Sequence, residues 1–153
     1  MNILDIKLTY RCNNHCLLCC QNDEIKNDES TIAEETIFEN IETMTYDEIK
    51  NTKVVLTGGE PTLHPSILEV VRGLRDKGFE TIQLQSNLTL GSLEITMEDL
   101  VNSGITSFGV SLHGCTAEMH ESFTRTKFSF DQYLKIKLLD TDKVWFFGHA
   151  EAR

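Results

Sequence analysis

The stretch from Val54 to Gly78 carries the pattern from which the fold follows. It opens with Val54-Val55-Leu56-Thr57-Gly58-Gly59-Glu60-Pro61, and a second segment runs from Ser66 to Lys77. Three consecutive apolar residues are typical of a strand buried on both faces. Apolar residues at positions 67, 70, 71 and 74 repeat at helical spacing, and Gly78 suits a left-handed helix cap. The stretch therefore predicts a strand, a Gly-Gly-Glu-Pro loop and a helix.

The same strand-then-helix pattern recurs on both sides of this stretch. Residues 3–8 alternate as a first strand with Leu4, Ile6 and Leu8 on one face, and further strands are predicted at 81–84, 107–112 and 144–147. Helices are predicted after a capping box at Thr31–Glu34, around 93–101 before Gly104, and over 129–139. Four strand–helix units in series predict an α/β fold with a parallel sheet and right-handed crossovers.

The residues that carry chemistry follow these strands one after another. The cysteines follow the first strand, the Gly-Gly-Glu-Pro segment the second, Asn87 the third, and Ser111 and His113 the fourth. Ligands of α/β proteins bind at the carboxyl ends of the strands. The order along the chain therefore predicts that these residues meet at one site.

The cysteines point to a metal centre. Four of the five lie between Cys12 and Cys20, and Cys12, Cys16 and Cys19 have the spacing C-x3-C-x2-C. Three thiolates in a short loop can ligate three corners of a cubane [4Fe–4S] cluster and leave one iron open to an outside ligand. Cys20 is left out because it adjoins Cys19. The alternative is a zinc site of the same three cysteines with His15 or Cys20.

The Gly-Gly-Glu-Pro segment suits a ligand-binding loop. Gly58 and Gly59 let the backbone approach a ligand closely, Glu60 offers a carboxylate to an ammonium group, and Pro61 fixes the turn. The alternative is a plain turn between strand and helix. Likewise, Asn87 has the alternative of a turn-forming residue, and Ser111 that of a strand-end hydroxyl.

Other polar residues are weaker candidates. His113 has a possible substrate contact, and His120 is expected on the following helix. A lone histidine is more often a solvated or packed residue, and His64 before Pro65 suits a turn. Arg125 can pair with a carboxylate, although a surface role is favoured, and Cys115 is interpreted as a small apolar residue.

These motifs together resemble the radical S-adenosylmethionine (radical SAM) superfamily. Its hallmark is C-x3-C-x2-C after the first strand, and its second hallmark is the Gly-Gly-Glu-Pro segment after the second strand. Ser111-Leu112-His113-Gly114 is similar to an S-L-H-G or S-L-D-G segment of many members. The resemblance covers residues 1–139 and leaves 140–153 unmatched. It implies that residues 1–153 form one radical SAM core domain, a partial (β/α) barrel truncated relative to the family's six units.

The resemblance also implies cofactors and a reaction. A [4Fe–4S] cluster is expected on Cys12, Cys16 and Cys19, and S-adenosylmethionine against Gly58–Pro61, Asn87 and Ser111. Reductive cleavage would give a 5′-deoxyadenosyl radical that takes hydrogen from an unknown peptide, nucleotide or small metabolite. Flavodoxin or ferredoxin is the expected electron donor. Leu18 stands where many members carry an aromatic residue. A truncated relative that binds the cluster without catalysis is the alternative.

Composition limits the remaining possibilities. The 153 residues are enough for one domain with a sizeable core. A net charge of −10 argues against broad nucleic-acid binding, because phosphates are bound by Lys and Arg. The sequence shows no apolar run long enough to span a membrane and no signal peptide. We therefore expect a cytoplasmic protein without membrane contact.

Overall fold

The computed structural model describes residues 1–21, 28, 30–90, 94–137 and 144–147. Within them, five strands form one sheet in the order β1-β2-β3-β4-β5, and each neighbouring pair is parallel. The elements in chain order are β1 (Asn2–Thr9), α1 (Glu34–Ile41), α2 (Tyr46–Lys50), β2 (Thr52–Gly58), a 3₁₀ turn (Pro61–Leu63), α3 (Ile67–Lys77), β3 (Thr81–Ser86), α4 (Met97–Ser103), β4 (Ser107–Ser111), α5 (Ala117–Thr124), α6 (Ser129–Lys137) and β5 (Val144–Phe147).

The two faces of the sheet differ in polarity. Leu56 of β2 pairs in register with Leu84 of β3, and both are fully buried in the core beneath the helices. The next residue of each strand, Thr57 and Gln85, points to the opposite face, because side chains alternate along a strand. Toward the carboxyl ends of the strands that face carries the partly exposed Thr57 and the exposed Gln85, whereas the residues two positions earlier in each strand are buried. A second face that becomes polar and open at the carboxyl ends of β2 and β3 fits the predicted partial barrel.

Helix α3 shows why the prediction from periodicity was correct. The four apolar residues at its predicted buried positions, Ile67, Val70, Val71 and Leu74, are all at most 1% exposed. The helix ends at Gly78, whose φ of 104° lies in the left-handed region. The glycine is favoured there because a Cβ is strained at that angle.

Some predicted element boundaries were wrong. Helix α1 begins after Ala33, which makes no side-chain cap, so the predicted capping box at Thr31 does not form. Thr31 instead forms an antiparallel bridge with Thr9 at the end of β1, and their hydroxyls lie 2.8 Å apart. Strand β3 extends two residues beyond the predicted 81–84. Leu93, predicted near the start of one helix, and Leu139, predicted at the end of another, lie outside the described residues.

One short helix was not predicted, and a second was expected only as the helix that carries His120, without bounds. Helix α2 has five residues, too few for an apolar period to be recognised, although Thr45 and Glu48 form its capping box. Helix α5 has an N-cap hydrogen bond from Met119 N to Thr116 Oγ1. It buries few apolar residues, so its sequence lacks a clear helical stripe. No helix in the described part of the chain is long and apolar enough to cross a membrane.

Candidate functional site

A cleft at the carboxyl ends of the strands brings most of the predicted site residues together. It encloses ≈ 740 Å³ with its open mouth included. Its lining includes Cys12, Cys16, Cys19, Cys20, Gly58, Gly59, Asn87, Ser111 and His113. Glu60 and Pro61 are buried and do not line the cleft. The predicted convergence at one end of the sheet is therefore present in the structure.

The backbone of the cysteine loop is hydrogen-bonded from two sides. After β2, Gly59 N donates to Thr9 O and Glu60 N donates to Arg11 O, both at 2.7 Å. From the other side, His15 N donates to the carbonyl of Thr124 at 3.0 Å and Leu17 N to that of Phe123 at 2.8 Å. Those two carbonyls belong to the last turn of α5, where helix carbonyls lack partners within the helix. The strand-end loop and α5 therefore both position the cysteines.

The two glycines are needed for this packing of backbone on backbone. A Cβ on Gly58 would collide with Thr9 O, and a Cβ on Gly59 would collide with the carbonyls of Tyr10 and Arg11. Gly58 also has a φ of 138°, which disfavours any side chain. The close approach that requires these glycines is therefore to the start of the cysteine loop. Their expected contact with a ligand stays a prediction.

Glu60 is fully buried and surrounded by hydrogen-bond donors. Its Oε1 accepts from Thr62 N at 3.1 Å, Thr62 Oγ1 at 2.6 Å and Ser86 Oγ at 2.7 Å, and its Oε2 accepts from Asn87 N at 2.7 Å. Burial raises the pKa of Glu60, and these donors oppose the rise. The carboxylate thus joins the ends of β2 and β3. The expected bond to an ammonium group stays a prediction.

Asn87 contacts the cysteine loop directly. Its Nδ2 lies 2.9 Å from Asn13 Oδ1 and 3.8 Å from Cys12 Sγ. Asn13 returns a bond from its own Nδ2 to Thr89 O at 2.8 Å. Ser111, by contrast, is exposed and lines the cleft from the end of β4, the strand beside β3. The contacts of both residues with a cofactor stay predictions.

The thiols do not form a ready-made site for a single metal ion in the described part of the chain, and their role as cluster ligands stays a prediction. Atoms around the Cys12 sulfur desolvate it and raise its pKa to about 11, and the Asn14 N–H opposes this while Glu60, Cys16 and Cys19 add to it. A bound cation would displace that proton, because coordinating thiols are deprotonated. Zinc needs its ligands around one ion, and no three His, Cys, Asp or Glu side chains of the described residues converge in that way. A cubane binds each thiolate to a different iron.

Sequence reasoning missed several residues that line the cleft. They are Asn14, Thr57, Gln85 and Ser86. Thr57 and Gln85 each follow a buried leucine in a strand, and Thr57 Oγ1 lies 3.5 Å from Gln85 Oε1. The alternation of side chains would have placed both on the cleft side if β2 and β3 had been extended beyond positions 56 and 84.

The weaker candidates separate into distinct environments. His113 lines the cleft, and its ring lies 6.4 Å from that of Phe123 and 5.9 Å from that of His120. His120 is buried, and its Nδ1 accepts from His113 N at 3.2 Å. His64 is also buried, with Nε2 2.8 Å from Ile32 O and Nδ1 accepting from Ser66 N. Cys115 is exposed, and neither it nor Arg125 lines the cleft.

Comparison with known proteins decides the family. The model of the radical SAM superfamily matches residues 6–136, which is most of the chain. This chain belongs to the radical SAM superfamily. Enzymes of this superfamily bind a [4Fe–4S] cluster and S-adenosylmethionine. The recognition made from the two motifs is confirmed, and so is the fold class.

The relatives in sequence include probable GTP 3′,8-cyclases. That of Saccharolobus islandicus is 31% identical over 132 residues, covering 86% of this chain and 41% of that protein. That of Methanocaldococcus jannaschii is 29% identical over 122 residues, covering 80% of this chain and 40% of that protein. The chain thus spans about two fifths of the length of these curated relatives.

Solved structures share the fold. A structure described as native anSMEcpe with bound AdoMet and a peptide has a TM-score of 0.68 at 19% identity. The match covers 96% of this chain and 41% of the solved chain. A second, His-tagged anSMEcpe with bound AdoMet has a TM-score of 0.63 at 18% identity. Similarity at this level of identity shows the fold alone.

Proposed function

We propose that this chain binds a [4Fe–4S] cluster through Cys12, Cys16 and Cys19 and S-adenosylmethionine beside it, as the catalytic core of a radical SAM enzyme. The observation that carries the proposal is the shared cleft. Three thiols, two glycines and the ends of β2, β3 and β4 line one opening. The family match supports the same cofactors.

The residues of the chain would hold the cofactors in distinct ways. A reduced cluster held by these residues would supply the electron for reductive cleavage of S-adenosylmethionine. The three cysteines would ligate three irons, and Gly59 with Glu60 would keep them in place through the bonds to Thr9 and Arg11. Ser111 and the polar strand ends would face the methionine or ribose portion. Leu18, which is exposed at the cleft, would shield the cluster from water.

The substrate is left open within this proposal. GTP, named for the relatives, carries a triphosphate that Arg and Lys usually bind. No Lys or Arg lines the described cleft. We propose a peptide, a nucleotide or a small metabolite as substrate and a flavodoxin or ferredoxin as electron donor. We also propose that the chain acts in the cytoplasm.

Anaerobic reconstitution tests the proposal. The protein is incubated with iron, sulfide and a thiol reductant, desalted, and assayed for iron, labile sulfide and visible absorption. We expect about four irons and four sulfides per chain, since a cubane holds that number. One zinc per chain without a visible chromophore would favour the zinc alternative and contradict the proposal.

Variants separate cluster binding from catalysis. Cys16→Ala should lose the cluster, whereas Cys115→Ala is the matched control because Cys115 is exposed outside the cleft, and it should retain it. Dithionite and S-adenosylmethionine are then added to the reconstituted protein. Release of 5′-deoxyadenosine shows catalysis, and a cluster without release identifies a non-catalytic relative. A Cys16→Ala protein with a full cluster would overturn the ligand assignment.

A further inference from the structure

The side-chain amide of Asn87 has one orientation that satisfies its neighbours. Thr89 N donates to Asn87 Oδ1 at 2.8 Å, which makes this atom the acceptor. The other amide atom lies 2.9 Å from Asn13 Oδ1, and Asn13 Oδ1 accepts because Asn13 Nδ2 is already the donor to Thr89 O. An amide carries its two donors on nitrogen. The network therefore directs the Nδ2 hydrogens of Asn87 toward the cysteine loop.

One of those hydrogens reaches a sulfur. Asn87 Nδ2 lies 3.8 Å from Cys12 Sγ, and Asn14 N lies 3.5 Å from the same sulfur. The Asn14 bond is local, two residues along the chain, whereas Asn87 reaches across from the end of β3. Cys12 Sγ thus receives one N–H from its own loop and one from another strand.

The turn that presents Asn87 is held from both ends. Glu60 Oε2 accepts from Asn87 N at 2.7 Å. The next residue, Leu88, is fully buried with a φ of 54°, an uncommon conformation for a leucine. Leu88 N also donates to Ser86 Oγ at 2.9 Å. A strained, buried turn with these bonds keeps the amide fixed against the cysteine loop.

We propose that Asn87 tunes the reduction potential of the cluster through an N–H···S bond to Cys12. This inference rests on the proposed function, because it needs a cluster on Cys12. One-electron reduction adds negative charge that is shared by the cysteine sulfurs, and a hydrogen-bond donor stabilises that charge. Hydrogen bonds to the sulfurs are one of the levers that set cluster potentials. Asn87 therefore raises the potential and makes the cluster easier to reduce.

Potentiometry of the reconstituted protein tests the proposal. The cluster is titrated with dithionite and mediators, and the reduced fraction is followed by electron paramagnetic resonance. Asn87→Ala should lower the equilibrium constant for one-electron reduction by about threefold to tenfold, as expected for a weak charge-assisted bond. Tenfold corresponds to about 59 mV for a one-electron couple.

Two further variants test whether a change in potential comes from the bond between Asn87 and Cys12 rather than from a disturbed loop or a changed charge. Thr89→Ala removes the bond from Thr89 Oγ1 to Asn14 Oδ1 but keeps both backbone bonds of Thr89, so its potential should equal that of the wild type. Asn87→Asp keeps the acceptor for Thr89 N and loses the donor, so its potential should fall at least as far as that of Asn87→Ala. It also serves if the alanine variant does not hold a cluster.

Resonance Raman spectroscopy supplies a signature that charge alone does not produce. An iron–thiolate stretch should shift when the wild-type protein is moved from H₂O to D₂O, and the shift should be smaller in Asn87→Asp and Asn87→Ala. A wild-type potential in Asn87→Ala, or an undiminished isotope shift in Asn87→Asp, would overturn the inference. Failure of the wild type to take up any cluster would instead overturn the proposed function.

Discussion

At the scale of single residues, Glu60 has a different neighbourhood from the one its motif suggests. A carboxylate after two glycines suggests a ligand contact, yet in the structure Glu60 accepts hydrogen bonds from Thr62, Ser86 and Asn87. The bonds to Ser86 and Asn87 cross from the end of β2 to the end of β3. The carboxylate is therefore a positioning group for the loop that carries Asn87.

Replacing Glu60 by glutamine should destabilise the protein in the absence of any cofactor. The amide nitrogen would face either the N–H of Asn87 or that of Thr62, leaving buried donors without an acceptor. Such a loss costs about 1–3 kcal/mol. Urea unfolding of the apoprotein, followed by circular dichroism, should show the free energy of unfolding reduced by that amount.

A glutamine at an exposed helical site is the matched control. Glu39 is exposed on α1, and Glu39→Gln should leave the free energy of unfolding within about 0.5 kcal/mol of the wild type, as for other surface changes. If Glu60→Gln apoprotein is as stable as the control, the bonds from Glu60 to the end of β3 do not stabilise the fold. A contact with a ligand would then be the main role of Glu60.

At the scale of elements, α5 links the exit of β4 to the cysteine loop. The carbonyls at its end accept from His15 and Leu17, and His120 on its inner side accepts from His113 N. His113 in turn lines the cleft. A short helix that sequence periodicity does not reveal therefore connects two walls of the site.

This arrangement predicts a loss of stability in acid. Burial lowers the pKa of His120 from the ordinary 6.5, the nearby His113 lowers it further, and Glu121 opposes the shift. The unfolded chain then binds a proton near pH 6.5 that the folded chain binds only at lower pH, so stability is present above that pH and is lost as the pH falls. A charged ring would also turn the Nδ1 acceptor into a donor facing His113 N.

His120→Asn tests the origin of the acid loss. Its Oδ1 offers an acceptor without a titratable proton, so the variant should be less stable than the wild type near pH 8 and the difference should shrink toward pH 5. Urea unfolding of both proteins across this range, about pH 8 to 5, measures the difference. A difference that stays constant with pH would assign the acid loss to other groups.

At the scale of the whole molecule, β1 is an edge strand of the described sheet. Asn2 N donates to Asn51 O at 2.7 Å and Asn2 pairs with Thr52, so Leu4 and Ile6 also direct their amides toward β2. A register shift between Lys7 and Thr9 reverses which residues face β2, so Leu8 O and Tyr10 N bond to residues 30–32 on the outer side. Before the shift, Ile3 and Asp5 direct their amides away from β2.

Amide hydrogen exchange should report this edge residue by residue. The amides of Ile3 and Asp5 should exchange at least about tenfold faster than those of Leu4 and Ile6, because only the latter lie in the ladder with β2. Val54 and Val55 of β2, which has strands on both sides, serve as controls and should both be protected. Nuclear magnetic resonance in D₂O resolves the individual amides. Equal protection of Asp5 and Ile6 would show that another segment pairs with the outer edge.

The sequence by itself determined the family, the α/β class, helix α3 with its cap, and the convergence of the cysteines with the glycine loop. Periodicity, capping residues and motif spacing are local properties, so they can be read along the chain. Tertiary structure alone decided that Gly59 packs on Arg11, that Glu60 bonds Ser86, and that Asn87 reaches Cys12. These pairs are far apart in sequence, and strand register with loop geometry brings them together. No local pattern encodes that register.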